Sequence, residues 1–195
     1  MAYDGEHPRG AWWFSSIAPG GIVGGRFDLD MPRGTCYLAT DIQTALRERV
    51  GTHISQANLV PEAVVNRMEV VNLRLPQQAR LADTSHESAA NWGAIRELGA
   101  SYGDYSRTAL WATAFLQDGF SGLLYESRLT SIAVASAIAL FDKCEQRDWP
   151  EGPRISGAEA FKAASIDHLI ARIPSSSSPT VKLVQTPAKK IQKQY

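Results

Sequence analysis

The chain has 195 residues, 44% hydrophobic and 21% charged, and its twenty lysines and arginines balance twenty aspartates and glutamates. This length suits one domain with a single sizeable core, and the charge balance leaves no global field to draw nucleic acid or an anionic membrane. Cys36 and Cys144 form no CxxC pair and the start MAYDGEHPRG is polar, which speaks against a zinc knuckle, a disulfide scaffold or a signal peptide and fits a cytoplasmic protein.

Residues 11–39 read as short strands broken by turns at Pro19-Gly20-Gly21, Gly24-Gly25 and Pro32-Arg33-Gly34. A helix capped by Thr40 or Asp41 follows, with Ile42, Ala45 and Leu46 as its apolar stripe and Gly51 as its stop. Pro61 opens a helical turn over Val60 to Arg67, Met68 to Leu75 is a strand, and Leu81-Ala82-Asp83 is a shorter one. Ser88 to Leu98 reads as a helix stopped by Gly99. Ser106 caps another, whose Leu110, Ala114 and Phe115 are expected to face the core before Gly119. Gly122 to Tyr125 is a compact strand. The apolar run Ile132 to Phe141 fits strand or helix, with β-branching favouring strand for its first part. A last helix is expected from Ala158 to Ile173, then the Ser175 to Ser178 linker and a basic tail. Strands and helices intersperse without a regular βαβ rhythm, so the class is α+β. No run of about eighteen apolar residues spans a bilayer.

Several familiar site patterns are absent. The GGIVGG glycines lack G-x-G-x-x-G spacing, and there is no Walker A lysine motif, G-x-S-x-G elbow or H-E-x-x-H pair. His7, His53, His86 and His168 show no metal-ligand spacing. No metal is expected.

The informative stretch is GGRFDLDMPRGTCYLATDIQTALRERVG, where Arg26, Tyr37 and Glu48 are spaced eleven apart, twice over. With Arg26 on a strand, Tyr37 on the next and Glu48 near the end of the following helix, the three can share one cleft. Taken singly, these residues read as ordinary: Arg47-Glu48-Arg49 as a solvated helix face, Tyr37 as core, Ser127 as a strand-end polar group.

The segments together resemble the RES domain family: a Gly-Arg-Phe segment, a Tyr-Leu-Ala strand and an Ala-Leu-x-Glu helix, then Gly122-Leu123-Leu124-Tyr125-Glu126-Ser127-Arg128, then the apolar segment ending at Phe141. The resemblance runs from about Trp12 to Phe141, roughly two thirds of the chain. It implies an ADP-ribosyltransferase-like core of short mixed and antiparallel strands with flanking helices. The domain is placed at 11–173, after an N-terminal segment 1–10 and before a flexible basic tail 174–195.

The arginine, glutamate and serine for which the family is named match Arg26, Glu48 and Ser127. The resemblance implies a toxin that consumes NAD as substrate, breaking its nicotinamide–ribose bond by hydrolysis or phosphorolysis. An ADP-ribosyltransferase with a protein acceptor and a catalytically silent protein-binding module are the alternatives. A small Xre-like helix-turn-helix antitoxin is the implied partner, and a homodimer is left open.

The residue types suit this chemistry. Arg26 can fork onto the pyrophosphate, and Glu48 can stabilise positive charge developing on the ribose. Tyr37 offers an aromatic face for nicotinamide with a polar hydroxyl, and Ser127 can hydrogen-bond the amide or a phosphate. Trp12 and Trp13 are read as core or dimer surface, with an adenine pocket as the other use. An arginine that the family often carries on an earlier strand has no counterpart just before His7; Arg9 stands nearest.

Overall fold

The computed structural model describes residues 1–6, 9–21, 24–93, 98, 105–130 and 136–172. The elements in order are β1 Ala2–Asp4, β2 Ser16–Ile17, β3 Leu29–Asp30, β4 Arg33–Ala39, α1 Ile42–Ala57, β5 Val60–Pro61, α2 Glu62–Arg67, β6 Met68–Leu73 and β7 Leu81–Asp83. A 3-10 helix at Glu87–Trp92 leads on to α3 Ser106–Gln117, β8 Gly122–Glu126, β9 Ser136–Lys143, β10 Glu151–Ser156, α4 Gly157–Ala163, a 3-10 turn at Asp167–Leu169 and β11 Ile170–Ala171. The class is α+β, as read from the sequence.

Two sheets carry the architecture. One has the order β4-β9-β8-β7, antiparallel except for the β7–β8 pair, and the other has the antiparallel order β1-β6-β10. Strand alternation builds a core on each face of the larger sheet. Ala137, Ala139 and Phe141 of β9 join Phe27, Leu29, Leu123 and Tyr125 on one face, with Tyr37 against them. Ile138 and Leu140 join Trp12, Phe14, Cys36 and Leu38 on the other. A central strand covered on both faces loses its polar alternation, which is why this run read ambiguously. Its second part is strand, and residues 131–135, its first part, lie outside the described residues. Leu46 and Val50 of α1 pack with Val60, Val65, Met68, Val70 and Phe161, tying α1 to the smaller sheet.

Several boundaries differ from those read in the sequence, each for a physical reason. Asp41 caps α1, its carboxylate accepting from the Thr44 amide at 2.8 Å. The helix does not stop at Gly51; it continues to Ala57 and ends at Asn58 in the left-handed region, φ 54°. Gly51 is small because the Leu129 side chain occupies the space its Cβ would take.

Residues 87–92 form a 3-10 rather than an α-helix, closed by Gly93 at φ 80°; residues 94–97 and Gly99 lie outside the described part. In α3, Thr108 and Ala112 face inward while Leu110 is 71% exposed and Ala114 is also exposed. A polar Thr108 disguised the true inner stripe. The last helix stops at Ala163, because Ser165 takes φ 56° and turns the chain so that Ile170–Ala171 pairs in parallel with Val60–Pro61. His7, Ile173 and the Ser175–Ser178 segment with the tail lie outside the described residues. Among the described residues, no helix is long and apolar enough to cross a membrane.

Candidate functional site

Between β1, β4, α1 and the loops around residues 24–26 and 127–129 lies a cleft of about 700 Å³. This is within the usual range for small-molecule sites, ~300–1,000 Å³. Arg26, Tyr37 and Glu48 all line it, so the three residues spaced eleven apart converge in space. Arg9, Arg49, Arg128 and Tyr105 line it too, with Asp4 the other carboxylate of the wall. Four guanidiniums against two carboxylates make the cleft a natural acceptor for an anion.

Arg26 lies in a turn ahead of β3, not on a strand as expected. Its residue is only 6% exposed, its guanidinium carbon stands 5.3 Å from the Tyr125 ring centroid, and Nε and Nη1 have no partner among the described residues. A buried cation with unused donors is costly unless something satisfies it. An anionic ligand entering the cleft is the simplest such group.

Glu48 sits in the middle of α1 rather than near its end, on the turn that faces β4 and the 127–129 loop. Ser127 Oγ donates to Glu48 Oε1 at 2.6 Å and accepts from the Leu129 amide at 3.3 Å. Ser127 is 7% exposed and its hydroxyl is committed to these two partners. It backs Glu48 and is not itself among the residues that line the cleft. Arg47 adds a second tie, donating from Nη1 to the Leu129 carbonyl at 3.3 Å, and Leu129 seats against Gly51. The loop after β8 is thus fastened to α1 at three points.

Tyr37 projects from β4 toward the cleft, but its hydroxyl is also committed: it accepts from the Phe27 amide at 2.8 Å and donates to Asp28 Oδ1 at 2.9 Å. Burial, reinforced by the Asp28 carboxylate, holds the phenol well above its ordinary range. Burial, with Glu48 close by, also pushes up the neighbouring Tyr125 phenol. Both remain neutral donors at neutral pH.

The tryptophans divide. Trp12 is fully buried in the core. Trp13 lines the cleft with Arg9 stacked 4.4 Å over its ring, and its Nε1 has no partner among the described residues. Arg9 thus supplies a guanidinium to the same cleft. Asp28, Thr108 and Tyr105 escaped the sequence reading, although Asp28 stands two residues from Arg26; Arg49, read as part of a solvated helix face, and Arg128, quoted only within its block, both line the cleft. No cluster of His, Cys, Asp and Glu able to hold a metal occurs among the described residues.

Compared with known families, residues 4–155 match the RES domain. The span that resembled it in sequence, Trp12 to Phe141, lies inside this match. No curated protein matches significantly. Among solved structures, a chain in the crystal structure of the M. tuberculosis MbcT-MbcA toxin-antitoxin complex shares the fold with a TM-score of 0.52. The two are 13% identical, and the likeness covers 73% of this chain and 77% of that one.

Proposed function

Because the chain belongs to the RES domain family, we propose that its cleft binds NAD and breaks the bond between nicotinamide and ribose. One observation carries this reading: a buried arginine with two unused donors shares a cleft with a carboxylate held in place by Ser127.

The pyrophosphate of NAD supplies the acceptors that Arg26 lacks, and a forked guanidinium suits two of its oxygens. As the bond from the ribose carbon to the nicotinamide nitrogen breaks, its electron pair goes to the nitrogen and neutral nicotinamide leaves. Positive charge then spreads over the ribose ring, and Glu48 stabilises it at close range. An acceptor oxygen, from water, phosphate or a protein, closes onto the ribose carbon and loses its proton. The Arg9–Trp13 pair provides a flat surface for the adenosine half.

The toxin–antitoxin complex with a similar fold supports a toxin role with an antitoxin partner; on the proposed reading the toxin acts in the cytoplasm, and the partner is of the Xre-like helix-turn-helix kind and covers this cleft. The test incubates the purified chain with NAD, with and without phosphate, and identifies products by mass. Released nicotinamide is expected, with ADP-ribose or its phosphate ester naming the acceptor; intact NAD at high protein concentration, with cell extract also supplied, overturns the enzymatic reading. Expression in a bacterial host should lower intracellular NAD and slow growth, and Glu48→Ala should relieve both. Falling NAD with unimpaired growth would remove the toxin role and leave the enzyme.

A further inference from the structure

The backbone that carries Arg26 is held by side chains rather than by a ladder of strand hydrogen bonds. Asp28 Oδ2 accepts from the Gly25 amide at 2.6 Å, while Asp28 Oδ1 accepts from the Tyr37 hydroxyl at 2.9 Å. The same hydroxyl accepts from the Phe27 amide at 2.8 Å. The Arg26 carbonyl accepts from Thr108 Oγ1 of α3, and the Phe27 carbonyl from Thr35 Oγ1 of β4 at 2.7 Å. The chain before and after Arg26 is therefore pinned to the Asp28 carboxylate, β4 and α3.

The fit leaves no slack. A Cβ on Gly25 would stand 2.5 Å from both Asp28 Oδ1 and the Tyr37 hydroxyl oxygen. Asp28 is 5% exposed, and a buried carboxylate is costly unless its acceptors are used. Its two oxygens take one bond each from the chain before Arg26 and from the strand beneath it.

We propose that Asp28 is a positioning residue for substrate binding: by joining the Gly25 amide to the Tyr37 hydroxyl, it fixes the turn that aims the Arg26 guanidinium into the cleft. Tyr37 then acts chiefly through its hydroxyl, as the post to which the turn is tied. This rests on the reading that Arg26 grips the anionic part of the substrate. A loosened turn leaves the guanidinium present but no longer preorganised, and misplacement of about 1 Å is enough to lose most of the benefit of a positioned group.

The test is a double-mutant cycle on NAD affinity, in a Glu48→Ala background so that the titrated NAD is not consumed. Arg26→Ala and Asp28→Ala are each expected to weaken NAD binding by about tenfold, and the double variant by little more than either alone, because both remove the same contact. Tyr37→Phe, which keeps the ring and removes the post, should weaken binding in the same direction and to a lesser degree. With Glu48 intact, KM should rise in Asp28→Asn while kcat changes less than threefold or so, as for a lost ground-state contact. Two results overturn the positioning role: NAD affinity within about twofold of the parent in Asp28→Ala and Tyr37→Phe, or multiplying effects in the double variant. Should Asp28→Ala fail to fold, the cycle is run with Tyr37→Phe against Arg26→Ala, with the same expectation and the same overturning result. Unchanged affinity in Arg26→Ala alone instead overturns the role given to Arg26, so the two failures are distinguishable.

Discussion

Ser127 and Glu48, 79 positions apart in sequence, meet through a 2.6 Å hydrogen bond from Oγ to Oε1. The bond ties the Glu48 side chain, which lines the cleft, to the loop after β8. On the proposed mechanism Ser127→Ala should lower kcat by about ten- to a hundredfold with KM little changed, the effect of losing one hydrogen bond to a charged group, ~1.5–3 kcal/mol. Steady-state kinetics on the folded variant check this; a change confined to KM would return Ser127 to direct substrate contact.

Glu48→Ala should cost far more, on the order of 10²–10⁴ in kcat, because a carboxylate that acts on developing charge contributes chiefly to the transition state. NAD binding should survive. Equilibrium titration beside single-turnover rates separates the two quantities.

Arg26→Lys should fail to restore NAD affinity lost in Arg26→Ala. The amine has no fork to make two parallel bonds, which the Arg26 guanidinium, 5.3 Å from the Tyr125 ring centroid, can offer. KM for NAD, measured for both variants, checks this, and near-parental KM in Arg26→Lys would mean that charge alone suffices.

How much of this was legible in the sequence depends on whether a residue announces itself through pattern or through contact. Arg26, Tyr37 and Glu48 lie in one short unit, and local spacing was enough to bring them to one cleft. Ser127 was found through its block, but its commitment to Glu48 needed the three-dimensional register of β8 beside β9 and α1. Thr108 was read past because a hydroxyl on a helix looks like a surface group, yet it faces inward to hold the Arg26 carbonyl. Gly51 looked like a helix stop and is a packing notch. In each miss the deciding partner stands tens of residues away.

Gly51→Ala tests that notch. The added methyl must displace Leu129, whose carbonyl and neighbour Ser127 are fastened to α1. Helix propensity favours alanine by ~1 kcal/mol, but the overpacked contact opposes it with ~1–3 kcal/mol. The expected outcome is a fold of near-parental or lower stability with a clear loss of kcat, read by denaturant melts and kinetics together. A more stable and fully active variant would show that the notch is idle.

Stability should fall on the alkaline side. Burial pushes the Cys36 thiol from its ordinary 9.0 up to about 12 and raises the phenols of Tyr3, Tyr37 and Tyr125. All four groups hold their protons more tightly in the folded chain than in the unfolded one. Their contribution is therefore complete below the unfolded values and is lost as pH climbs from about 9 through the folded values. Denaturant midpoints at pH 8 and pH 10.5 should show the loss, and a flat profile would contradict it.

Strand β9 lies between β4 and β8 in the sheet, yet it is the last of the three to be synthesised. A chain still growing on the ribosome carries Arg26, Tyr37, Glu48 and Ser127 before residues 136–143 emerge to join β4 and β8. Until then β4 and β8 have no strand between them, and the sheet that sets the register of β8 is incomplete. The order of synthesis thus makes β9 the closing strand of the sheet, so that a chain interrupted before residue 136 holds every one of these side chains and no platform to set them on.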